Sequence, residues 1–180
     1  MELHELLSKL EKSETFKKFK SENPSAFFCA GFFIFDIKEG RNEYSLDYCS
    51  ADKIFSFSMY SDSEAITSRE DQILDSSKPL EEVNVDVKIQ LSQLKELTQK
   101  ELAVKGIEKK LEKIIAVLQN SEGRVIWNLT CMCEGFAIII LHIDANNMEI
   151  IKFDNKNLFD FVKMPKDNLS NFKNTPKGEA

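Results

Sequence analysis

The sequence predicts an α+β fold in which antiparallel sheets pack against helices, built from a duplicated helix-β-β-β unit. Three observations carry that expectation. Arg124–Phe153 reads as three antiparallel strands, RVIWNLTCMC, FAIIILHID and MEIIKF, with turns at Glu134-Gly135 and Asn146-Asn147. Glu2–Lys20 and Ser92–Lys105 carry leucines and phenylalanines at helical spacing. The order helix, long apolar strand, hairpin, strand, polar turn, strand recurs at an offset of about 95 residues. At 180 residues, the chain can form one full domain or two small units sharing a core. The expected division is a first unit over residues 1–60, a connector over 61–82, a second unit over 83–162 and a disordered tail over 163–180.

In chain order, Leu3, Leu6, Leu7, Leu10, Phe16 and Phe19 mark the first helical stripe, with Ser13 as an interruption and Asn23-Pro24 as the stop. Ala26–Ile37 is apolar on both alternating faces, as in a strand covered on both sides. One face would carry Phe27, Cys29, Phe33, Phe35 and Ile37, and the other Ala26, Phe28, Phe32 and Ile34. Tyr44, Leu46 and Tyr48 alternate with Glu43, Ser45 and Asp47, and Phe55, Phe57 and Met59 alternate with serines, giving two further strands. A short helix is expected around Glu64–Leu74, a strand over Val83–Ile89, a helix capped by Ser92, and a second helical stripe at Leu111, Ile114, Ile115 and Leu118. Asn155–Val162 would add a turn of helix.

The net charge of −6, without a basic stripe, argues against nucleic acid as a partner. The longest apolar runs fall well short of the roughly 18 residues that span a bilayer. The charged, amphipathic N-terminal stretch lacks the apolar core of a signal peptide, and four cysteines without one read as free thiols. A cytoplasmic location is the expectation.

Two short stretches carry a family resemblance. Lys88–Leu94 (KIQLSQL) resembles the strand, Ser, helix entry of PepSY domains. Ile143–Ile150 (IDANNMEI) resembles their closing V-D-A-x-T-G-E-V hairpin. The resemblance covers about Val87–Phe153, and only weakly Leu3–Tyr60. It implies a cystatin-like α+β unit of a family that binds or inhibits and is not enzymatic. Where the family has Thr-Gly this chain has Asn147-Met148. Because Met does not suit a turn position with positive φ, the turn is expected at Asn146-Asn147 as a two-residue type I′.

Chemistry has few carriers. A two-residue turn at Glu134-Gly135 would pair Cys131 with Ile138 and Trp127 with His142, placing Cys131, Cys133 and His142 on one sheet face with His142 out of reach of the thiols. Cys131 and Cys133 could serve a soft metal or a cysteine-dependent reaction, but the sequence offers no second ligand pair. Nucleotide-binding, zinc-protease and hydrolase motifs are absent from the sequence. No catalytic residue, metal or cofactor is therefore expected. The Phe-rich strand has more apolar surface than one helix covers, so Phe28, Phe32 and Ile34 are the candidate interaction surface. The leading expectation is a non-catalytic binding or regulatory module acting on a protein partner or as a homodimer. The alternatives are a protein using Cys131 and Cys133, and a binder of a small apolar ligand.

Overall fold

The computed structural model describes residues 1–73 and 79–157. It contains helices α1 (Leu3–Lys12), α2 (Glu14–Glu22) and α3 (Leu94–Val104) and eight strands. The strands are β1 (Phe27–Asp36), β2 (Asn42–Ser50), β3 (Lys53–Tyr60), β4 (Thr67–Gln72), β5 (Leu111–Ser121), β6 (Arg124–Cys133), β7 (Ala137–Asp144) and β8 (Ile150–Asn157). They form one antiparallel sheet in the order β4-β3-β2-β1-β5-β6-β7-β8.

This overturns the expected fold class. Over the described residues the chain is dominated by a single eight-stranded sheet with three short α-helices, and is not a helix-packed α+β arrangement of separate sheets. Two segments account for most of the difference. Leu111–Leu118, expected as helix, is β5, the strand that pairs with β1 and joins the two halves of the chain. Thr67–Gln72, expected within a short helix, is β4, an edge strand exposed at every residue. The helix-β-β-β unit is corrected with them, since each side of the β1/β5 seam holds four strands. Strand β1 therefore corresponds in order to β5, which begins at Leu111, and the offset of about 95 that matched it to β6 does not hold.

The local causes are readable. Ser13 ends α1 and begins α2: its hydroxyl donates to the Leu10 carbonyl at 2.7 Å, and its oxygen accepts from the Phe16 amide at 3.2 Å. That break turns Phe16 and Phe19 onto the sheet, where Phe16 meets Tyr48 (4.9 Å between ring centres) and Phe57 (5.3 Å), and Phe19 meets Phe55 (4.8 Å). Helix α3 follows a 3-10 turn at Leu91–Gln93. Its entry is capped by Gln90 and Gln93, with the Gln90 amide donating to Gln93 Oε1 at 2.8 Å, so Ser92 lies inside the turn and is not the cap. Val83–Ile89 is not a sheet strand. It runs across the helix side, buries Val83, Val87 and Ile89, and attaches by single bonds such as Val83 N–H to the Phe28 carbonyl at 2.9 Å.

One face of the sheet receives all three helices. Leu3, Leu6, Leu10, Leu94 and Leu102 join Phe33, Leu46, Phe57, Ile114, Trp127, Leu129 and Leu141 in one continuous core. Cys131 and Cys133 also point into it. The proposed tail over 163–180 and the end of the expected turn at Asn155–Val162 lie outside the described residues, while Asn155–Asn157 belongs to β8. Among the described residues no helix is long and apolar enough to cross a membrane.

Candidate functional site: the helix-free sheet face

The alternate positions of the central strands face away from the helices. On β1 these are Phe32 and Ile34, on β5 Ile115 and Val117, on β6 Asn128, Thr130 and Met132, and on β7 Ile138, Ile140 and His142. Phe32 is 38% exposed and Met132 39%, while Ile34, Ile115, Val117, Ile138 and Ile140 are half-buried by their neighbours in the sheet. The pairings Phe32–Val117 and Ile34–Ile115 make an apolar patch on β1 and β5, which Asn128 and Thr130 of β6 separate from Ile138 and Ile140 of β7. A sheet face of this composition, with no helix over it among the described residues, is the kind of patch that marks an interaction surface.

The candidate surface residues divide between the two faces. Phe32 and Ile34 lie on the open face. Phe28 does not: it is 6% exposed and packs on the helix side against Tyr48, 5.7 Å between ring centres. The reason is a bulge. Phe28 pairs with Tyr48 and Ala30 with Asp47, which leaves Cys29 as an extra residue and reverses the alternation between them. Simple alternation cannot register that extra residue.

A second slip explains β7. The hairpin after β6 is longer than two residues: Gly135 (φ 75°) and Phe136 (φ 62°) both adopt left-handed backbone, and Cys133 pairs with Ala137. Cys131 therefore faces Ile139, and Asn128 faces His142. One residue of register moves every β7 side chain to the other face. Ile139 and Leu141 enter the core, while Ile138, Ile140 and His142 emerge on the open side. The last hairpin differs too. Met148 itself takes φ 65°, and the turn is organised by Asp144, whose Oδ1 accepts from the Asn146 and Asn147 amides at 2.8 and 3.1 Å.

These registers separate the thiols from the histidine. Cys131 and Cys133 are buried on the helix side, with Cys131 Sγ 3.9 Å from Thr98 Oγ1, whereas His142 is on the opposite face. Burial pushes the Cys131 thiol up to about 12. His142 is held below its ordinary range by burial and then by Lys152. Among the described residues no group of three or more His, Cys, Asp or Glu side chains could hold a metal ion. A thiol near 12, against an ordinary 9.0, has its thiolate fraction lowered about a thousandfold. Cys131 is accordingly expected to resist iodoacetamide in native protein at pH 8 and to react fully in denaturant, as read by peptide mass spectrometry. Rapid native labelling would contradict this placement.

Beside these open-face residues, over β2–β4, is a hollow of about 490 Å³. It exists because small side chains, Ser45, Ser56 and Ser58, lie on adjacent strands between the larger Phe32, Tyr60 and Arg69. Its floor holds Asp47, which accepts from the Ser45 hydroxyl at 3.0 Å. Burial raises the Asp47 carboxyl, against the opposing pull of the Ser56 and Ser45 hydroxyls and of Arg69. Its lining mixes serine hydroxyls and carboxylates with the apolar surface of Phe32, Met59 and Tyr60. The sequence signal for it was present as serines at alternate positions of β2 and β3, but serine at strand positions reads equally as a wet face.

No family model and no curated protein sequence matches this chain. Among solved structures it is similar to one described as a "putative lipoprotein" from Clostridium difficile 630, with a TM-score of 0.57 and 9% sequence identity. The match covers 79% of this chain and 91% of that one. At this identity the likeness is one of fold.

Proposed function

We propose that the protein is a non-catalytic binding module that engages a protein partner, or itself, through the helix-free face of its sheet. The observation that carries the reading is the group of Phe32, Ile34, Ile115, Val117, Ile138 and Ile140 on a face with no helix over it among the described residues. Burying such a group gains roughly 25 cal/mol per Å² of apolar area removed from water, so a face of this kind is a thermodynamic source of association. The resemblance of Ile143–Ile150 to the closing hairpin of PepSY domains accords with binding as the activity. The four free, buried cysteines fit the reducing compartment expected from the sequence.

The test is a single charge in the middle of this face. Val117 is half-buried on β5, opposite Phe32 on β1 and Asn128 on β6. A lysine there can direct its ammonium to solvent while placing a charge at the centre of any interface. Val117→Lys is expected to abolish association, read by sizing and by capture from the native host, with a change in unfolding free energy of under about 1 kcal/mol. Undiminished association of a folded Val117→Lys protein would move the binding surface elsewhere.

A further inference from the structure

We propose that the hollow over β2–β4 is a binding site for a saccharide, with a pyranose ring laid against the Phe32 ring and over a floor of serine hydroxyls. This goes beyond the protein-binding reading of the apolar residues and does not rest on it. Shape, hydrogen-bonding capacity and charge argue for it together.

The strand registers set small side chains inside a frame of large ones. Ser45 of β2 lies between Phe32 of β1 and Ser58 of β3, and Ser58 lies beside Thr67 of β4. In the next row Asp47 faces Ser56, and Ser56 faces Arg69. In the row on the other side Glu43 faces Tyr60. From Phe32 to Thr67 is three strand spacings, about 14 Å, and successive rows are about 7 Å apart. The side chains between are short, so the surface sinks there. The resulting 490 Å³ lies within the range of about 300–1,000 Å³ that small-ligand sites occupy.

The polar lining selects the chemistry of the occupant. Carboxylates only accept hydrogen bonds, whereas serine and threonine hydroxyls both donate and accept. Asp47 accepts from Ser45 at 3.0 Å and is also bonded by Ser56, which leaves part of its acceptor capacity open. Glu43 adds a second carboxylate at the rim. The guanidinium beside them, Arg69, is already tied to Asp71 at 2.6 Å. An anion would therefore meet two carboxylates and a base committed elsewhere. A ligand that satisfies this lining supplies groups that donate to carboxylates and exchange bonds with hydroxyls, and a ring of hydroxyls does both. The walls supply the other half of the match. Phe32 is 38% exposed and offers the electron-rich face of its ring, on which the C–H face of a sugar ring can lie. Tyr60 closes the opposite corner, with Arg41 held over its ring at 5.5 Å and tied to Asp62 at 3.4 Å. A sugar presents hydroxyls at its edge and C–H groups on its face, which is the mixture that this hollow lines.

The test is a titration of the full chain with the methyl glycosides of glucose, galactose, mannose and N-acetylglucosamine, followed in proton–nitrogen correlation spectra. At least one of them is expected to give saturable shifts at the amides of Ser45, Ser56 and Ser58, with a Kd of about 0.1–10 mM. Asp47→Asn keeps an oxygen for Ser45 to bond and removes the charge, and should weaken binding about tenfold. Phe32→Leu keeps an apolar side chain without the ring face and should weaken it by a similar factor. Ser58→Leu fills the floor and should abolish it. Circular dichroism confirms that each variant folds, and if Asp47→Asn does not, the other two decide. No saturable shift with any of the four glycosides up to about 100 mM overturns the proposal. Binding that persists undiminished in folded Ser58→Leu and Phe32→Leu proteins puts the sugar elsewhere and overturns it as well. Saturation of the same amides by tetramethylammonium or by an apolar dye, where no glycoside acts, overturns the ligand class.

Discussion

Trp127→Ala is expected to cost about 3–5 kcal/mol, a large share of the roughly 5–15 kcal/mol that holds a domain together. Trp127 is the only tryptophan, is completely buried on β6, and packs against Phe33 of β1 with 5.6 Å between ring centres. It thereby fills the space beneath the seam where β1 and β5 join the two halves of the sheet. Its indole Nε1–H also donates to the Ile89 carbonyl at 3.1 Å, pinning the segment that runs into α3. Two losses should therefore separate experimentally. Trp127→Phe keeps much of the ring volume but orphans a buried carbonyl, for about 1–2 kcal/mol. The alanine variant adds the cavity. Urea denaturation followed by circular dichroism measures both, since the substitution removes the fluorescence probe. Equal costs for the two variants would mean that packing contributes little at this position.

The elements that the sequence made legible are those whose period is unambiguous. Leu3, Leu6 and Leu10, then Phe16 and Phe19 after Ser13, could be read as helix because their other faces are polar. Tyr44, Leu46 and Tyr48 could be read as strand for the same reason. Strand β5 failed that test. Its sequence LEKIIAVLQN places Ile115 and Val117 on the open face and Ile114, Ala116 and Leu118 in the core. With apolar residues on both sides, the leucines and isoleucines at Leu111, Ile114, Ile115 and Leu118 match a helical stripe as well as a strand. The apolar character of the open side of β5 caused the misreading, because it erased the alternation which would have identified the strand. Reading β5 as helix then matched β1 to β6 and hid the single sheet.

The candidate surface was legible only as far as local geometry stayed regular. Phe32 and Ile34 were identified from excess apolar character on the Phe-rich strand, but the bulge at Cys29 returns Phe28 to the core. Ile138, Ile140 and His142 depend on whether the Glu134-Gly135 hairpin holds two residues or more. Phe136 at φ 62° is the residue that decides it. Nothing in its side chain announces a left-handed backbone. Ile115 and Val117, at the centre of the open face, could not be found at all until β5 was a strand.

Gly31→Ala is expected to destabilise the protein by about 2 kcal/mol, although alanine is ordinarily the better residue within a strand by about 0.5–1 kcal/mol. Gly31 sits mid-strand in β1, between Leu46 of β2 and Leu118 of β5, with its missing side chain on the core face. A Cβ there would come within 2.5 Å of Phe33 Cζ and 2.6 Å of Cε2. The Phe33 ring lies over the glycine because residues two apart on a strand share a face. It cannot readily swing away: it is fully buried, with Trp127 at 5.6 Å and Tyr44 at 6.4 Å between ring centres. Any relief must come from the backbone of β1, which also carries Phe32 and Ile34 on the opposite side, so the same methyl group should disturb the open face. Phe33→Leu removes the obstructing ring edge. In a double-mutant cycle it should recover at least about 0.5 kcal/mol of the Gly31→Ala cost. Strict additivity of the two changes in urea denaturation would mean that the ring is not what the new methyl group meets. The expected coupling instead makes the glycine a condition for the aromatic packing at the seam, and so for the placement of Phe32 and Ile34 on its other side.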